Sequence, residues 1–322
     1  MKAIVLLSGG LDSTLAIKLL LEQGIDVIAV HFTSPFFRSS WAVKTAREWG
    51  IPLLEIDITD DILKLLKAPP HGFGSQMNPC IDCHALMFRK AKEIMEEVGA
   101  SFVATGEVLG ERPMSQNREA LRIVEKESGL EGLLLRPLSA KLLPPTIPEK
   151  EGWVDREKLL DIKGRSRKRQ LELAEKWGIK DYPSPAGGCL LTDPQFSKRL
   201  KDLLDNKELT KENVVLLKLG RHFRLRKGVK LVVGRNKEEN ERIREFSREG
   251  GILLRAYSHK GPDGLLRGDG FDEEDIELAG KIIARYSDIE GGEKMKIKIE
   301  GDGEKIIEVE KAEEEVVRKF MV

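Results

Sequence analysis

Residues 3–14 read Ala3-Ile4-Val5-Leu6-Leu7-Ser8-Gly9-Gly10-Leu11-Asp12-Ser13-Thr14, and this stretch decides the fold. The apolar run predicts a short buried strand, and the helix-spaced leucines from Leu15 onward predict a helix directly after it. The two glycines between them let backbone N–H groups approach an anion, which the positive end of the helix also favours. The stretch therefore predicts a phosphate-binding turn between a strand and a helix.

Three hydroxyls and one carboxylate accompany the two glycines: Ser8, Ser13, Thr14 and Asp12. The hydroxyls can donate to phosphate oxygens, and the carboxylate can hold Mg²⁺, which neutralises phosphate charge. The Gly-Lys-Ser/Thr ending of a Walker A loop is missing, which argues against a kinase-like or motor ATPase. The string resembles instead the PP-loop of N-type ATP pyrophosphatases. That resemblance implies cleavage of ATP between its α and β phosphates and adenylation of a substrate oxygen.

Length, charge and cysteine content limit the class of protein. The chain has 322 residues, enough for two or three domains, and 54 Lys+Arg balance 54 Asp+Glu. Any nucleic-acid surface must therefore come from local clustering of basic residues. The start of the sequence shows no signal-peptide pattern, and no apolar run approaches the ~20 residues that span a bilayer. We predict a cytoplasmic protein without membrane association, whose three cysteines are ligands or reactive thiols.

Strands alternate with helices through the first half of the chain. After the first strand, further strands are predicted at 26–32, 53–58 and 102–106, with helices between them. This spacing predicts an α/β fold, a parallel sheet with helices on both faces and its ligands at the carboxyl ends of the strands. The predicted domains are 1–205, an α+β domain at 214–290, and a β-hairpin with a short helix at 291–322.

The cysteines lie in two loops rich in proline and glycine. Cys80 comes just before, and Cys83 at, the start of a predicted helix, where a thiolate is stabilised by the helix dipole. Cys189 ends the second loop. Three cysteines exclude a four-cysteine zinc site within one chain, but zinc with His71 or His84 as fourth ligand stays open. A [4Fe–4S] cluster is the other option, because three thiolates leave its fourth iron open to an exogenous sulfur.

Four blocks together resemble the tRNA 2-thiouridylases and the related 4-thiouridine synthetases. They are Ser8–Thr14, Asn78–Cys83 followed by Phe88, Ala104–Gly106, and Pro183–Cys189. The resemblance implies an adenine nucleotide alpha hydrolase-like fold, catalytic use of Asp12, and ATP contacts by Ser8, Gly9, Gly10, Asp12, Ser13, Thr14, Thr105 and Gly106. In the cluster-free members two cysteines carry and resolve a persulfide, and the matching positions are Cys83 and Cys189. The additional Cys80 resembles the iron–sulfur branch, which implies a cluster on Cys80, Cys83 and Cys189.

Two basic stretches are candidates for RNA contact. One is 163–169, with Arg165, Arg167, Lys168 and Arg169; the other is 218–235, with Arg221, Arg224, Arg226 and Lys227. Local clustering of this kind is typical of a surface for a phosphate backbone, with Phe223 as a stacking ring. A solvated helix face and a basic sheet edge are the alternatives. Residues 214–290, with Leu231–Asn236 and Asn240, resemble the RNA-binding domain of the NFACT ribosome-quality-control proteins.

These features predict an ATP-dependent tRNA sulfurtransferase that uses Mg²⁺ and a [4Fe–4S] cluster to convert uridine to 4-thiouridine or 2-thiouridine. Its partners would be tRNA and a sulfur donor, either inorganic sulfide or a sulfur-carrier protein. The sequence leaves open whether the chain forms a homodimer. Two alternatives remain: a PP-loop ligase that uses the adenylate for amidation and holds structural Zn²⁺, and a non-catalytic RNA-binding protein.

Overall fold

The chain divides into two units that differ in the type of sheet they contain. The computed structural model describes residues 1–37, 40–183, 188–268, 270–290, 292–301 and 303–322. The amino-terminal unit is Met1–Asp193, and the carboxyl-terminal unit is Pro194–Val322. Within the described residues no helix combines the length and the apolar character needed to cross a membrane.

Strands and helices alternate through the amino-terminal unit, as the crossover connections of a parallel sheet require. The strands are β1 (Lys2–Leu6), β2 (Asp26–Thr33), β3 (Leu53–Asp57), β4 (Phe102–Thr105) and β5 (Leu134–Leu135). The helices are α1 (Leu11–Leu21), α2 (Ser40–Trp49), α3 (Thr59–Lys67), α4 (Cys80–Glu97), α5 (Arg118–Ser128), α6 (Ile147–Lys150) and α7 (Lys168–Lys176). Short 3₁₀ turns lie at Ala140–Leu142, Arg156–Lys158 and Leu190–Thr192.

These strands form a parallel sheet in the order β3-β2-β1-β4-β5. In β1 at its centre, Val5 pairs with Ala29 of β2 on one side and with Ala104 of β4 on the other. The chain moves outward through β2 and β3, then crosses back to β4 and β5. Right-handed crossovers in opposite directions place helices on opposite faces. The structure thus confirms the predicted α/β fold with helices on both faces.

Core packing holds the turn between β1 and α1 from both ends. Ile4 and Val5 of β1 point to opposite faces of the sheet and are fully buried. Helix α1 packs Ile17 against the sheet and Leu15 in a second apolar cluster with Ala174 of α7. Burial of one such aliphatic side chain is worth about 1.5–3 kcal/mol. The turn is therefore positioned by its flanking elements rather than by its own contacts alone.

The carboxyl-terminal unit is built on an antiparallel sheet in the order β11-β10-β8-β9-β7-β6. Its strands are β6 (Arg221–Arg226), β7 (Val229–Val233), β8 (Ile252–Ala256), β9 (Asp263–Gly268), β10 (Met295–Glu300) and β11 (Glu304–Val309). Its helices are α8 (Pro194–Asp205), α9 (Lys211–Leu216), α10 (Lys237–Ser247), α11 (Glu273–Arg285) and α12 (Glu314–Phe320). This agrees with the predicted smaller α+β domain.

The unit boundaries differ from the predicted domains of 1–205, 214–290 and 291–322. The division falls between Asp193 and Pro194, so helix α8 belongs to the carboxyl-terminal unit. Asp202 of α8 explains this, because it forms ion pairs with Arg224 and Lys230 of the antiparallel sheet. The predicted hairpin is not separate either, since its strand β10 pairs with β8 over residues 297–300. Polar composition near 205–213 marks a surface connection rather than a domain boundary.

Candidate active site

The phosphate-binding turn lies where the strand order of the parallel sheet reverses, between β1 and β4. In such sheets ligands bind at the carboxyl ends of the strands at this reversal. Gly9 has φ +81°, a left-handed conformation that favours glycine. The Ser13 hydroxyl donates to the Gly10 carbonyl oxygen at 2.9 Å and lies 3.2 Å from the Ser8 hydroxyl. Thr14 is buried, and its hydroxyl donates to the same carbonyl oxygen at 3.1 Å.

Asp12 places a carboxylate beside this turn, in the first turn of α1. Its Oδ1 is buried without a hydrogen-bond partner among the described residues. Burial raises the pKa of Asp12, and the nearby charges of Arg167 and Arg112 oppose that increase. Burial and the charge of Asp12 likewise raise the pKa of Glu111. An unpartnered carboxylate oxygen with a second carboxylate nearby is a donor set that suits Mg²⁺.

Gly106, at the end of β4, packs directly against the start of α1. A Cβ atom at this position would lie 2.4 Å from the Ser13 backbone nitrogen and 2.6 Å from the Asp12 carbonyl carbon. Only glycine fits that approach without movement of the backbone. The predicted ATP contact Gly106 is thus the residue that lets β4 reach the phosphate-binding turn.

The first two cysteines are both in the opening turn of α4. The helix begins at Cys80 and not at Cys83 as predicted, because Pro79 serves as N-cap and its carbonyl oxygen accepts from the Cys83 N–H at 2.8 Å. The Asn78 side-chain amide donates to Cys80 Sγ at 3.1 Å. Asn78 is itself fixed by accepting from the Gln76 N–H at 3.0 Å. The loop before α4 therefore orients one of the sulfur atoms.

The third cysteine reaches the same region through its own segment. Of the block 183–189, residues 184–187 lie outside the described residues. The Leu190 N–H donates to the carbonyl oxygen of Phe36, which follows β2, at 2.9 Å. The Thr192 hydroxyl donates to the Cys189 carbonyl oxygen at 2.7 Å. These bonds tie Cys189 to the carboxyl-terminal end of the parallel sheet.

One cavity of about 660 Å³ is lined by all three cysteines and by the predicted nucleotide residues other than Gly9 and Thr14. Its lining includes Ser8, Gly10, Asp12, Ser13, Thr105, Gly106, Cys80, Cys83 and Cys189. Two residues that sequence reasoning did not assign to the site, Glu111 and Arg112, line it too, as does His84, one of the histidines considered as a zinc ligand. The structure thus places three thiols that are up to 109 positions apart (189 minus 80) beside the phosphate-binding turn.

Burial disfavours ionisation of Cys83 and Cys189. Burial raises the pKa of Cys83, and the neighbouring Cys189 and Cys80 raise it further. Burial raises the pKa of Cys189 to about 11. The expectation of a thiolate stabilised by the helix dipole alone is therefore wrong for Cys83. A raised pKa favours the neutral thiol in the protein without a bound metal, and metal binding would require these thiols to lose their protons.

The spacing of the sulfur atoms bears on which metal fits. Zinc binds thiolates at about 2.3 Å in a tetrahedron, which sets its sulfur ligands about 3.8 Å apart. Within the part of the chain that the structure describes, one group of potential metal ligands has all its ligand atoms within 4.8 Å of one another, formed by His71, Asp82 and Glu127. The sulfur atoms of the three cysteines do not form such a group. A four-iron cluster is larger than one ion and spreads its thiolates more widely. The choice between zinc and a cluster therefore stays a prediction.

The two histidines considered as zinc ligands have other partners. His71 uses both ring nitrogens, with Nδ1 at 2.7 Å from Asp82 and Nε2 at 3.2 Å from Glu127. Since the carboxylates sit on opposite nitrogens, this group is a hydrogen-bonded bridge between the loop before α4, α4 and α5. His84 lines the cavity, and its Nδ1 lies 2.7 Å from Glu107. Nε2 is therefore the ring nitrogen of His84 that could bind a metal.

A buried ion-pair chain stands behind His84, and sequence reasoning missed it. Glu107 is 5% exposed, and its second oxygen lies 3.0 Å from Nε of Arg136. Arg136 is 4% exposed and also pairs with Glu125 of α5 at 3.0 Å. The charge of Arg136 and the His84 contact hold the pKa of Glu107 below its usual value despite burial. This series of ion pairs fixes the orientation of the His84 ring between β4 and α4.

The basic residues of the 163–169 stretch divide between the cavity and the surface. Arg167 lines the cavity, near Asp12. Arg169 pairs with Asp161. Arg165 and Lys168 are exposed at the start of α7. Arg167 therefore belongs with the nucleotide residues, while an RNA role for the other three stays a prediction.

In the carboxyl-terminal unit the second basic stretch is largely neutralised by acids. Arg224 lies 2.8 Å from Asp202 and 2.7 Å from Glu208, so its guanidinium has partners within the unit, and its RNA role stays a prediction. Arg226 pairs with Asp275, and the Arg221 guanidinium lies 4.3 Å above the Tyr286 ring. Lys227 is exposed. The prediction of Phe223 as a stacking ring is wrong, because its side chain is fully buried in the core.

Comparison with known proteins finds a family match in each unit. Residues 1–141 match the model of the thiamine biosynthesis protein (ThiI). Residues 220–321 match the NFACT protein RNA binding domain, a range that includes the hairpin β10–β11. The matches confirm both resemblances proposed from the sequence blocks.

The curated relatives bear the name probable tRNA sulfurtransferase. That of Streptococcus gordonii is 31% identical over 132 residues, which cover 38% of this chain and 31% of the relative. That of Thermococcus kodakarensis is 28% identical over 170 residues, 50% of this chain and 39% of the relative. The chain thus spans about a third of the length of these relatives. A solved 4-thiouridine synthetase–RNA complex with bound ATP is 26% identical, with a TM-score of 0.38, over 66% of this chain and 53% of that one.

Proposed function

We propose that the chain is an ATP-dependent tRNA sulfurtransferase, which adenylates a uridine carbonyl oxygen in tRNA and replaces that oxygen with sulfur. The observation that carries the proposal is the shared cavity of about 660 Å³, lined by the phosphate-binding turn and all three cysteines. Its volume lies in the usual range of ligand pockets, about 300–1,000 Å³. The matched relatives named as tRNA sulfurtransferases support the same reaction.

The nucleotide end of the cavity would carry out the adenylation. Backbone N–H groups at the start of α1, with the hydroxyls of Ser8 and Ser13, would bind the phosphates of ATP. Asp12, with Glu111 beside it, would hold Mg²⁺, and Arg112 and Arg167 would add positive charge. The uridine carbonyl oxygen attacks the α-phosphorus, and the bond to the departing pyrophosphate breaks. The chain contributes alignment and charge neutralisation to this step.

The thiol end of the cavity would deliver sulfur. Cys80, Cys83 and Cys189 would hold a [4Fe–4S] cluster, which would supply a means of binding sulfur from sulfide or a sulfur-carrier protein. The sulfur adds to the activated uridine carbon, and AMP leaves with the former carbonyl oxygen. The reaction requires that bound RNA keep water from the adenylated base, because hydrolysis would regenerate uridine. Asn78 orients Cys80 through its hydrogen bond to the sulfur.

Two features bear on how tRNA would bind: the location of the reactive groups in a cavity, and the RNA-binding match in the carboxyl-terminal unit. A base inside a helix cannot reach such a cavity, so the target uridine must be unstacked. The match of residues 220–321 to an RNA binding domain supplies a second region for tRNA contact. Both tRNA and ATP are available in the cytoplasm, which is the proposed location.

Product analysis with purified components tests the proposal. Protein reconstituted anaerobically with iron and sulfide is incubated with ATP, Mg²⁺, sulfide and unmodified tRNA, and thionucleosides are measured by mass spectrometry with pyrophosphate. We expect both products, with chromatography separating 2-thiouridine from 4-thiouridine. Asp12→Asn should lose both and still bind tRNA. Asp205→Asn, at an exposed position of α8, is the matched control and should retain both.

The two alternatives give different outcomes in the same assay. An amidating ligase would release pyrophosphate and AMP with ammonia as nitrogen donor and form no thionucleoside. A non-catalytic RNA-binding protein would release no pyrophosphate at all. Either result would overturn the proposed sulfurtransferase.

A further inference from the structure

Arg112 is a cation of the active-site cavity whose side chain is available to a ligand. It lies in the loop between β4 and α5, lines the cavity and is exposed. Within the described ranges of the chain, its guanidinium forms no ion pair and no hydrogen bond. Arg167, which also lines the cavity, is half-buried, and its Nε is enclosed by the protein. Arg112 is therefore the more accessible of these two arginines.

The backbone that carries this side chain is held by Gln116. The Gln116 side-chain oxygen accepts from the Arg112 N–H at 3.1 Å, and the Gln116 N–H donates to the Arg112 carbonyl oxygen at 2.8 Å. The Gln116 carbonyl oxygen accepts from the Gly110 N–H at 2.7 Å, and Gln116 itself is buried. The Arg112 side chain thus extends into the cavity from a fixed point of the loop.

The charge of Arg112 acts on both ends of the cavity. At the nucleotide end, burial raises the pKa of Asp12 and of Glu111, and the charge of Arg112 opposes both increases. At the thiol end, burial raises the pKa of Cys189, and the same charge opposes that increase. Because interactions between charges weaken with distance, the guanidinium lies near both groups. Arg112 is thus placed between the phosphate-binding turn and the cysteines.

The chemistry of the proposed reaction puts one group of the substrates at the same position. After adenylation, a single oxygen atom joins the α-phosphorus to the uridine carbon that receives sulfur. The α-phosphate must therefore lie between the turn that binds the phosphates and the cysteines that deliver sulfur. A guanidinium pairs with phosphate oxygens through two parallel N–H donors, and its positive charge strengthens these bonds.

We propose that Arg112 is a catalytic residue that binds the α-phosphate in both steps of the reaction. This inference rests on the proposed function and adds a residue to it. In the first step, the uridine oxygen bonds to the α-phosphorus, the bond to pyrophosphate breaks, and the N3 proton of uridine is released to solvent. In the second step, HS⁻ bonds to the uridine carbon and its proton restores the one lost from N3. The carbon–oxygen bond breaks, and its electron pair leaves with the oxygen on AMP.

The second step should depend on Arg112 more than the first. During adenylation, Mg²⁺, the backbone N–H groups of the turn and Arg167 would also stabilise the phosphates. During sulfur transfer, negative charge develops on the oxygen between the α-phosphorus and the uridine carbon, on the thiol side of the turn. Arg112 is the arginine whose charge also acts on Cys189. Loss of one donor to a developing oxyanion costs about 100-fold in rate.

A sulfide chase measures the two steps separately. Reconstituted protein in excess over unmodified tRNA is mixed with Mg²⁺ and ATP radiolabelled at the α-phosphate, and label on tRNA is followed without a sulfur donor. Sulfide is then added, and release of labelled AMP and formation of thionucleoside are recorded. Arg112→Met should slow adenylation about ten-fold and the sulfide-dependent step about 100-fold. Arg112→Lys should recover part of the second rate, because it keeps the charge but not the paired donors.

Two other arginine variants are the controls. Arg167→Met should slow adenylation and leave the sulfide-dependent step largely unchanged. Arg118→Met, at the exposed first residue of α5, should change neither step. Circular dichroism and the dissociation constant for tRNA are measured for every variant, so that misfolding and weakened RNA binding are recognised.

Three results would overturn the role of Arg112 while leaving the sulfurtransferase intact. One is a sulfide-dependent step at the wild-type rate in Arg112→Met. Another is a variant whose only defect is weaker tRNA binding, which would place Arg112 on the RNA backbone. The third is equal slowing of the second step by Arg167→Met. A wild-type chain that forms neither labelled tRNA nor thionucleoside overturns the proposed function instead, so the two failures are distinguishable.

Discussion

Gly106→Ala tests whether the approach of β4 to the phosphate-binding turn is required for nucleotide use. The added Cβ would lie 2.4 Å from the Ser13 nitrogen, whereas ordinary contacts begin near 3.4 Å. The start of α1 and the end of β4 must then separate by about 1 Å, and a misplacement of that size can cost about 100-fold in rate. Overpacking of this kind also lowers the free energy of unfolding by about 1–3 kcal/mol.

The assay is pyrophosphate release with tRNA, combined with binding of a fluorescent ATP analogue and thermal unfolding. We expect a folded variant whose pyrophosphate release falls about 100-fold. Gly188→Ala is the matched control, because Gly188 lines the same cavity and a Cβ there meets no atom within 4 Å. If Gly106→Ala binds the analogue and releases pyrophosphate as the wild-type chain does, the assignment of the turn as the phosphate site is refuted.

Three other predictions concern ion pairs. Arg136→Met leaves the Glu107 carboxylate buried without its partner, so urea titrations should show the free energy of unfolding lowered by about 3–5 kcal/mol. The double variant with Glu107→Gln should recover part of the lost stability. A loss below about 1 kcal/mol contradicts this prediction. Arg224→Met should lower the free energy of unfolding, because it removes the ion pairs of this residue. Lys227→Ala should leave stability unchanged and reduce the salt dependence of RNA binding by about one ion. The opposite result for the two variants would indicate that the Arg224 guanidinium contacts RNA. The pKa of His71 is raised, mainly by its hydrogen bond to a carboxylate, so its stabilising effect is complete below the ordinary value of 6.5 and is lost as pH rises through the raised pKa. Unfolding at several pH values should show this loss in the wild-type chain and not in His71→Gln, and identical pH profiles would speak against the bridge.

Local sequence patterns predicted the fold and the convergence of the site. The continuous apolar run of β1 predicted a strand buried on both faces, and the glycines after it predicted the turn. The family resemblance implied that Gly106 belongs to the same site as Gly10, and this agrees with the carboxyl ends of parallel strands lying at one edge of a sheet. The pairing of β1 with β4 is a property of the whole sheet, and no single residue indicates it.

Partners far apart in sequence could not be predicted. The Lys218–Arg235 stretch contains no acid, yet Asp202, Glu208 and Asp275 neutralise Arg224 and Arg226 in the folded unit. A sequence pattern shows which residues are basic but not which acids face them. Phe223 shows the same limit, because strand alternation alone does not indicate which face of β6 is the core.

The buried ion pairs behind the cavity could not be predicted from the sequence for the same reason. Glu107 is one residue past Gly106, but its partners His84 and Arg136 come from α4 and from the segment after β5. No spacing rule joins such positions. The only available signal was a charged residue next to a buried apolar strand, which often marks a paired charge.

The central claim is that the three thiols hold one inorganic centre beside the nucleotide turn. Metal analysis of anaerobically reconstituted protein tests it most directly, with Cys80→Ser, Cys83→Ser and Cys189→Ser as variants. We predict about four irons per chain and a brown protein absorbing near ~400 nm in the wild type, with loss of both in each variant. A colourless protein that binds one zinc, or a Cys189→Ser variant that keeps its full iron content, would contradict the account.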